Sequence, residues 1–274
     1  MQPPVQAVPP VQSETTPSAE SDAAAAGGAP RETAARAAAL PPSYEAGSLR
    51  PLFVSPRGLT RCVAVGLVAS TLATWLALGV HLAHLRALHV QLSGSGGDAQ
   101  QLASIVATLH VAQAAQAATF ALTAVLFLAW LHRLRVNVRA LGVRKLVHGR
   151  RWSVLGFLVP VLNVVLPYQV MAEIWRASDP SVLDPFEWKS LEPPPILALW
   201  WGSFVIAVTL QLAGFGFWLT AGVPAFESVV ASSVAIVADL VAAVSASIAF
   251  FLVSQLSAAQ LAKRERMLEE ALRP

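Results

Sequence analysis

The sequence predicts an all-α, polytopic integral membrane protein: a helical bundle with four spans, a proline-broken re-entrant or interfacial segment, and a disordered N-terminal tail. Three observations carry this. Only 13% of the 274 residues are charged, against about 25% in an average soluble domain. Mean hydropathy is +0.57. Four apolar runs of roughly 20 residues each are long enough for a helix to cross the hydrocarbon core with its backbone satisfied internally. A soluble globular enzyme is excluded. The single cysteine, Cys62, excludes an internal disulfide, a cysteine zinc site and an iron–sulfur cluster.

The expected organisation is a tail over 1–50, a transmembrane helical domain over 51–258 and a charged helix over 259–274. Residues 1–50 hold eight prolines and almost no large apolar side chain. Such a stretch cannot bury enough surface to offset the entropy of ordering it. It lacks the charged start and apolar h-region of a signal peptide, so no cleavage is expected. Pro41-Pro42-Ser43-Tyr44 has the spelling of a WW-domain ligand, which docks as a preformed polyproline helix; chance within so Pro-rich a tail is the simpler explanation.

The first span is expected over 62–80, about 28 Å at the helical rise, with the helix continuing to Leu92. Gly66, Ser70, Thr74 and Ala77 form a stripe of small side chains on which a second helix can pack closely. A Gly/Ser turn over 93–97 follows, and Asp98 is placed to cap the next helix, 99–141. Its membrane part lies near 111–131. Trp130 marks an interface and a basic stretch begins at once. The segment 152–176 is apolar but contains Pro160, Asn163 and Pro167, and each proline removes a backbone bond and kinks a helix. A polar loop over 179–195 leads to spans at 196–219 and 229–253, and the residues after 254 form a helix of mixed charge.

Whether 152–176 crosses decides where the basic residues lie. Five spans, the alternative, place ten Lys/Arg near the membrane on one side and seven on the other. Four spans place sixteen on one side and one, Arg86, on the other. The positive-inside rule therefore favours four spans with both termini cytoplasmic.

A longer motif joins these pieces. Trp130-Leu-His-Arg-Leu-Arg-Val-Asn137-Val-Arg-Ala-Leu-Gly142, then Trp152, then Gly156-Phe-Leu-Val-Pro160-Val-Leu-Asn163-Val-Val-Leu-Pro167-Tyr168, then Glu173-Ile-Trp175-Arg176-Ala-Ser178 resembles the actinobacterial membrane-protein family "domain of unknown function 4328". The resemblance covers about 60–260. It implies a bacterial inner-membrane location and no established activity.

Asp239 is the foremost candidate for chemistry, because an ionisable group at mid-membrane is costly and is by default a functional hypothesis. Its helical face also holds Ser232, Ala235, Ala242, Ala243 and Ala246, which points it at a bundle seam. Gln113, Gln116, Gln211 and Asn163 are its candidate polar partners. Two readings stand: a proton-titrating or cation-coordinating site, and a carboxyl that hydrogen-bonds an amide and locks helix pairing. Pro160, Asn163, Pro167 and Tyr168 form the kinked centre, where Asn163 is expected to satisfy backbone groups freed by the prolines. His81, His84, His89 and His110 gather at the opposite end without carboxylates to complete a metal site. Arg133, Arg135, Arg139, Arg144, Lys145, Arg150 and Arg151 form a belt suited to anionic lipid headgroups, at about 1 kcal/mol per charge near the surface. The same belt serves topology.

No hydrolase, metalloprotease, P-loop or dinucleotide motif is found, so no enzyme activity, metal or cofactor is expected. Nucleic-acid binding is not expected either, since the belt is short and lacks a reading fold. The expected role is a structural or interaction protein, scaffold or accessory, of the bacterial cell envelope or septum, with the bilayer, its anionic lipids and unidentified proteins as partners. The alternative is a small proton- or cation-linked transporter or channel using Asp239.

Overall fold

A computed structural model of the chain describes residues 52–94, 98–148, 164–219 and 225–273. The tail over 1–50 with its 41–44 motif, and Arg150, Arg151, Pro160 and Asn163, lie outside the described residues. Five α-helices are described: α1 (Arg57–Leu92), α2 (Ala99–Ala140), α3 (Leu166–Ala177), α4 (Pro195–Leu219) and α5 (Ala225–Leu272), with a 3-10 turn at Glu187–Ser190 before α4. Among the described residues, α1, α2, α4 and α5 are the four helices long and apolar enough to cross a membrane. The four-span architecture expected from charge is the one the fold adopts.

Each spanning helix overshoots the apolar run that predicts it. Asp98 caps α2 as expected, its carboxylate accepting from the Gln100 backbone N–H at 2.9 Å. Gly94 and Gly142, with φ of 67° and 79°, close α1 and α2 in the left-handed region that only glycine enters without strain. The largest overshoot is in α5. Its 48 residues, roughly 72 Å of helix, run through the last apolar stretch and the charged 259–272 region without a break. The charged end is thus the end of the last span and not a separate element.

Antiparallel neighbours build the bundle. α1 packs along both α2 and α5, and α4 packs along α5. Rings of α2 and α4 close the remaining side: Phe120 stacks on Phe204, and Phe127 meets Trp200 at 5.8 Å. The stripe of small residues on α1 faces α2. A methyl group on Gly66 would come within 2.8 Å of Thr123 Oγ1, and Ser70 Oγ lies 2.9 Å from the same hydroxyl. Large apolar side chains such as Leu72, Trp75, Val111, Leu122, Leu212 and Val244 are exposed on the outside of the spans, where a soluble protein would carry charge and a membrane protein meets lipid.

The end of α1 and the start of α2 lie at one end of the bundle. At the other end lie residues 52–56, the 141–148 and 164–194 segments and the charged end of α5. α3 settles the described part of the proline-broken segment. Its 12 residues span about 18 Å, too short to cross a bilayer, and its inner face is buried from Pro167 to Ala177. Pro167 was expected to kink a longer helix. It occupies the first turn of α3 instead, where a proline forfeits no helical hydrogen bond and its fixed φ suits the start. Tyr168 follows it against the core, and Trp201 Nε1 donates to the Val164 carbonyl at 2.7 Å, tying this start to α4.

The buried core gathers toward this second end, where Leu131, Leu134, Met171, Ile174, Leu197, Leu252 and Leu256 are fully buried.

Candidate functional site

Asp239 lies on α5 with 1% of its surface exposed. Its carboxylate joins the four spans at one level. Gln116 of α2 donates from Nε2 to Asp239 Oδ1 at 2.8 Å, and Gln211 of α4 donates from Nε2 to the same oxygen at 2.8 Å. The Gln116 amide also reaches Thr74 Oγ1 of α1 at 3.3 Å. The second carboxylate oxygen, Oδ2, is buried and has no hydrogen-bond partner. Of the glutamines singled out in the sequence, Gln116 and Gln211 bond Asp239. Gln113 is half-buried and makes no such bond, because a three-residue step turns a side chain about 60° away from Gln116 around the helix. Asn163 lies outside the described residues.

The helix face predicted for Asp239 is the buried one: Ser232, Ala235 and Ala243 are all buried. Ser232 Oγ lies 3.0 Å from His84 Nδ1. His81, one turn earlier on α1, is buried with Nδ1 unpartnered. Among the described residues no three His, Cys, Asp or Glu side chains group as metal ligands.

A second polar constellation sits beneath the buried core. Arg135, counted by sequence in the lipid belt, is completely buried and cannot reach a headgroup. Its Nη1 donates to Glu173 Oε2 of α3 at 2.8 Å, while Nε and Nη2 are buried without partners. Glu173 also accepts from the backbone N–H of Val147, from that of His148 at 3.3 Å, and lies 3.1 Å from His148 Nδ1. A carboxylate in protein interior needs such pairing, and Arg135 of α2 with the 147–148 segment supplies it to Glu173. Arg133 stays half-buried and Arg139, Arg144 and Lys145 exposed, so the belt narrows to these among the described residues.

Asn137 donates from Nδ2 to the Val54 carbonyl at 2.9 Å and to Gln260 Oε1 at 3.1 Å, and its Oδ1 accepts from Val54 N–H. Gln260 Nε2 donates to the Leu134 carbonyl and to Ser178 Oγ. Lys263, 1% exposed, donates to the Ala177 carbonyl at 2.9 Å. Above them, Trp130 Nε1 donates to Ser257 Oγ at 3.0 Å, which pairs with Thr60 Oγ1 at 2.7 Å. These bonds tie the entry to α1, the end of α2, the end of α3 and α5 into one assembly.

The model of the family described as "Domain of unknown function (DUF4328)" matches residues 94–258, well over half of the chain. The chain belongs to the DUF4328 family. The match begins after α1, short of the 60–260 expected from the resemblance, yet it contains Gln116, Gln211 and Asp239. Thr74 and His84, which α1 contributes to the node and its neighbourhood, precede the DUF4328 match. No curated protein and no solved structure matches the chain.

Sequence reasoning passed over Ser178, Ser257, Gln260 and Lys263 as site residues. One signal was present: Ser232, Asp239, Ala246, Val253 and Gln260 recur at seven-residue steps, which keeps them on nearly one face of a continuous helix. The repeat passes the end of the apolar span at 253, where the mixed-charge helix follows without a break.

Proposed function

We propose that this DUF4328 protein is a non-catalytic scaffold or accessory protein of the bacterial cytoplasmic membrane, acting in envelope or septum assembly with both termini in the cytoplasm. The observation that carries the reading is the buried polar floor of Asn137, Gln260, Ser178 and Lys263. It holds the segment before α1, the end of α3 and the distal half of α5 as one rigid base, which is what a docking platform requires. Exposed charge is presented from that base: Arg139, Arg144 and Lys145 on one part, and Arg264, Glu265, Glu269, Glu270 and Arg273 on the tip of α5. The basic members suit anionic lipid headgroups, and the mixed-charge tip suits a protein partner. The positive-inside rule orients this base toward the cytoplasm.

The test removes contact elements while leaving the floor intact. Deleting 1–50 and, separately, 268–274 should change the envelope or septal localisation of a fluorescent fusion and the set of proteins cross-linked to it. Truncation at 254, by contrast, removes Gln260 and Lys263 and should unfold the base. Unchanged localisation and cross-links after both short deletions would overturn the reading.

A further inference from the structure

We propose that the node around Asp239 is a binding site for one small monovalent cation, Na⁺ by its chemistry, which a proton replaces when the cation leaves. This is independent of the scaffold reading.

The first support is charge. A carboxylate in the middle of a bundle faces a large desolvation cost unless something neutralises it. Besides Asp239, the titratable groups on the helices packed here are Arg57, Arg61, Cys62, His81, His84, Arg86 and His89 on α1 and His110, His132, Arg133, Arg135 and Arg139 on α2, with none on α4 and no other over 229–262 of α5; none falls within a turn of Thr74 on α1 or of Gln116 on α2. Lysine and arginine are absent from this level, so a cation that balances the ionised carboxylate has to come from outside the chain.

The second support is the donor set. Asp239 Oδ2 is buried with no partner. Around the same carboxylate stand the Thr74 hydroxyl and the side-chain amides of Gln116 and Gln211. Both amides present Nε2 to Oδ1, and a half-turn of either presents its Oε1 in the same place. Carboxylate, hydroxyl and two amide carbonyls are hard oxygen donors, suited to alkali and alkaline-earth ions rather than to Zn²⁺ or Cu⁺. One carboxylate balances one charge, whereas Ca²⁺ takes six to eight oxygens and usually several carboxylates.

The third support is closure. Beyond Asp239 toward the charged base, Leu131, Leu134, Leu252 and Leu256 are fully buried. Toward the end of α1, polar groups continue instead, through His81 and the His84–Ser232 pair. The exchange is Asp239–COOH + Na⁺ → Asp239–COO⁻·Na⁺ + H⁺, with the ion entering from the side of His81 and the His84–Ser232 pair.

The experiment uses the full-length protein in nanodiscs at constant ionic strength, replacing choline chloride by NaCl at pH 8.5, with tryptophan fluorescence reporting thermal unfolding and ²²Na⁺ reporting binding directly. A saturable rise in Tm with one ²²Na⁺ per chain is expected, because a ligand of the folded state alone stabilises it by mass action. Lowering the pH should raise the apparent Kd by up to about tenfold per unit where the proton competes, and this should persist in His81→Gln. Asp239→Asn, which keeps an acceptor for both amides, should abolish binding; Thr74→Val and Gln211→Leu should weaken it several-fold. A wild-type Tm and ²²Na⁺ titration that stay flat overturn the proposal whatever the variants do. So does a response to KCl equal to that to NaCl, or a Na⁺ response retained in Asp239→Asn.

Discussion

Arg135 of α2 and Glu173 of α3 form a buried ion pair at 2.8 Å between residues 38 positions apart. It converts a positive charge at the membrane boundary from a surface feature into an internal tie. Glu173 gains two backbone N–H donors and His148 in the same place, so the carboxylate organises the 147–148 segment as well as the arginine.

Breaking this pair from one side should be costly. Glu173→Gln leaves Arg135 buried without its counter-charge, which in comparable interiors destabilises by about 3–5 kcal/mol. Thermal unfolding in detergent should register a large drop in Tm, and Arg135→Met combined with Glu173→Leu should recover most of it. A single Glu173→Gln variant as stable as wild type would show that the pair is not the tie described.

The close approach of α1 and α2 gives a steric prediction. Gly66→Ala places a methyl 2.8 Å from Thr123 Oγ1, a hydroxyl already engaged by Ser70 and by the Thr119 carbonyl. Overpacking of this kind costs about 1–3 kcal/mol. Adding Thr123→Ala should restore stability beyond what Thr123→Ala does alone, a coupling read from a double-mutant cycle.

Ser257→Ala should destabilise by about 1–3 kcal/mol, since it strands the buried Trp130 N–H. Trp130→Phe together with Ser257→Ala removes both partners and should cost less than the sum of the single changes. Chemical denaturation of the two singles and the double separates these outcomes.

Orientation is testable at two exposed serines on opposite ends. With Cys62→Ser as background, a membrane-impermeant maleimide should label Ser93→Cys in intact cells and Ser190→Cys only after permeabilisation. The reverse pattern would place the charged base outside and remove the cytoplasmic platform. Ser178 is unsuitable as a probe because it is buried against Gln260.

The parts of the fold legible in the sequence are those set by local rules. Hydropathy over 20 residues locates a span, an Asp before a helix caps it, and four small residues on one side of α1 mark where α2 sits close. The direction of Asp239 toward a seam follows from its alanine-rich face. Partner choice is a different matter. Gln113 and Gln116 are equivalent until the rotation of α2 against α5 is known, and only one reaches Asp239. Arg135 reads as one arginine among several because nothing near it in sequence announces Glu173. Lys263 reads as surface charge because the carbonyl that accepts from it, at Ala177, becomes free only when α3 ends there.

The 48 residues of α5 contain neither proline nor glycine, the usual sites at which a helix bends. The buried carboxylate of Asp239 and the charged tip are therefore two points on one continuous helix. Between them, Gln260 and Lys263 clamp the same helix to the ends of α2 and α3, so a slip or rotation of α5 at Asp239 has to strain those bonds before it reaches Leu268.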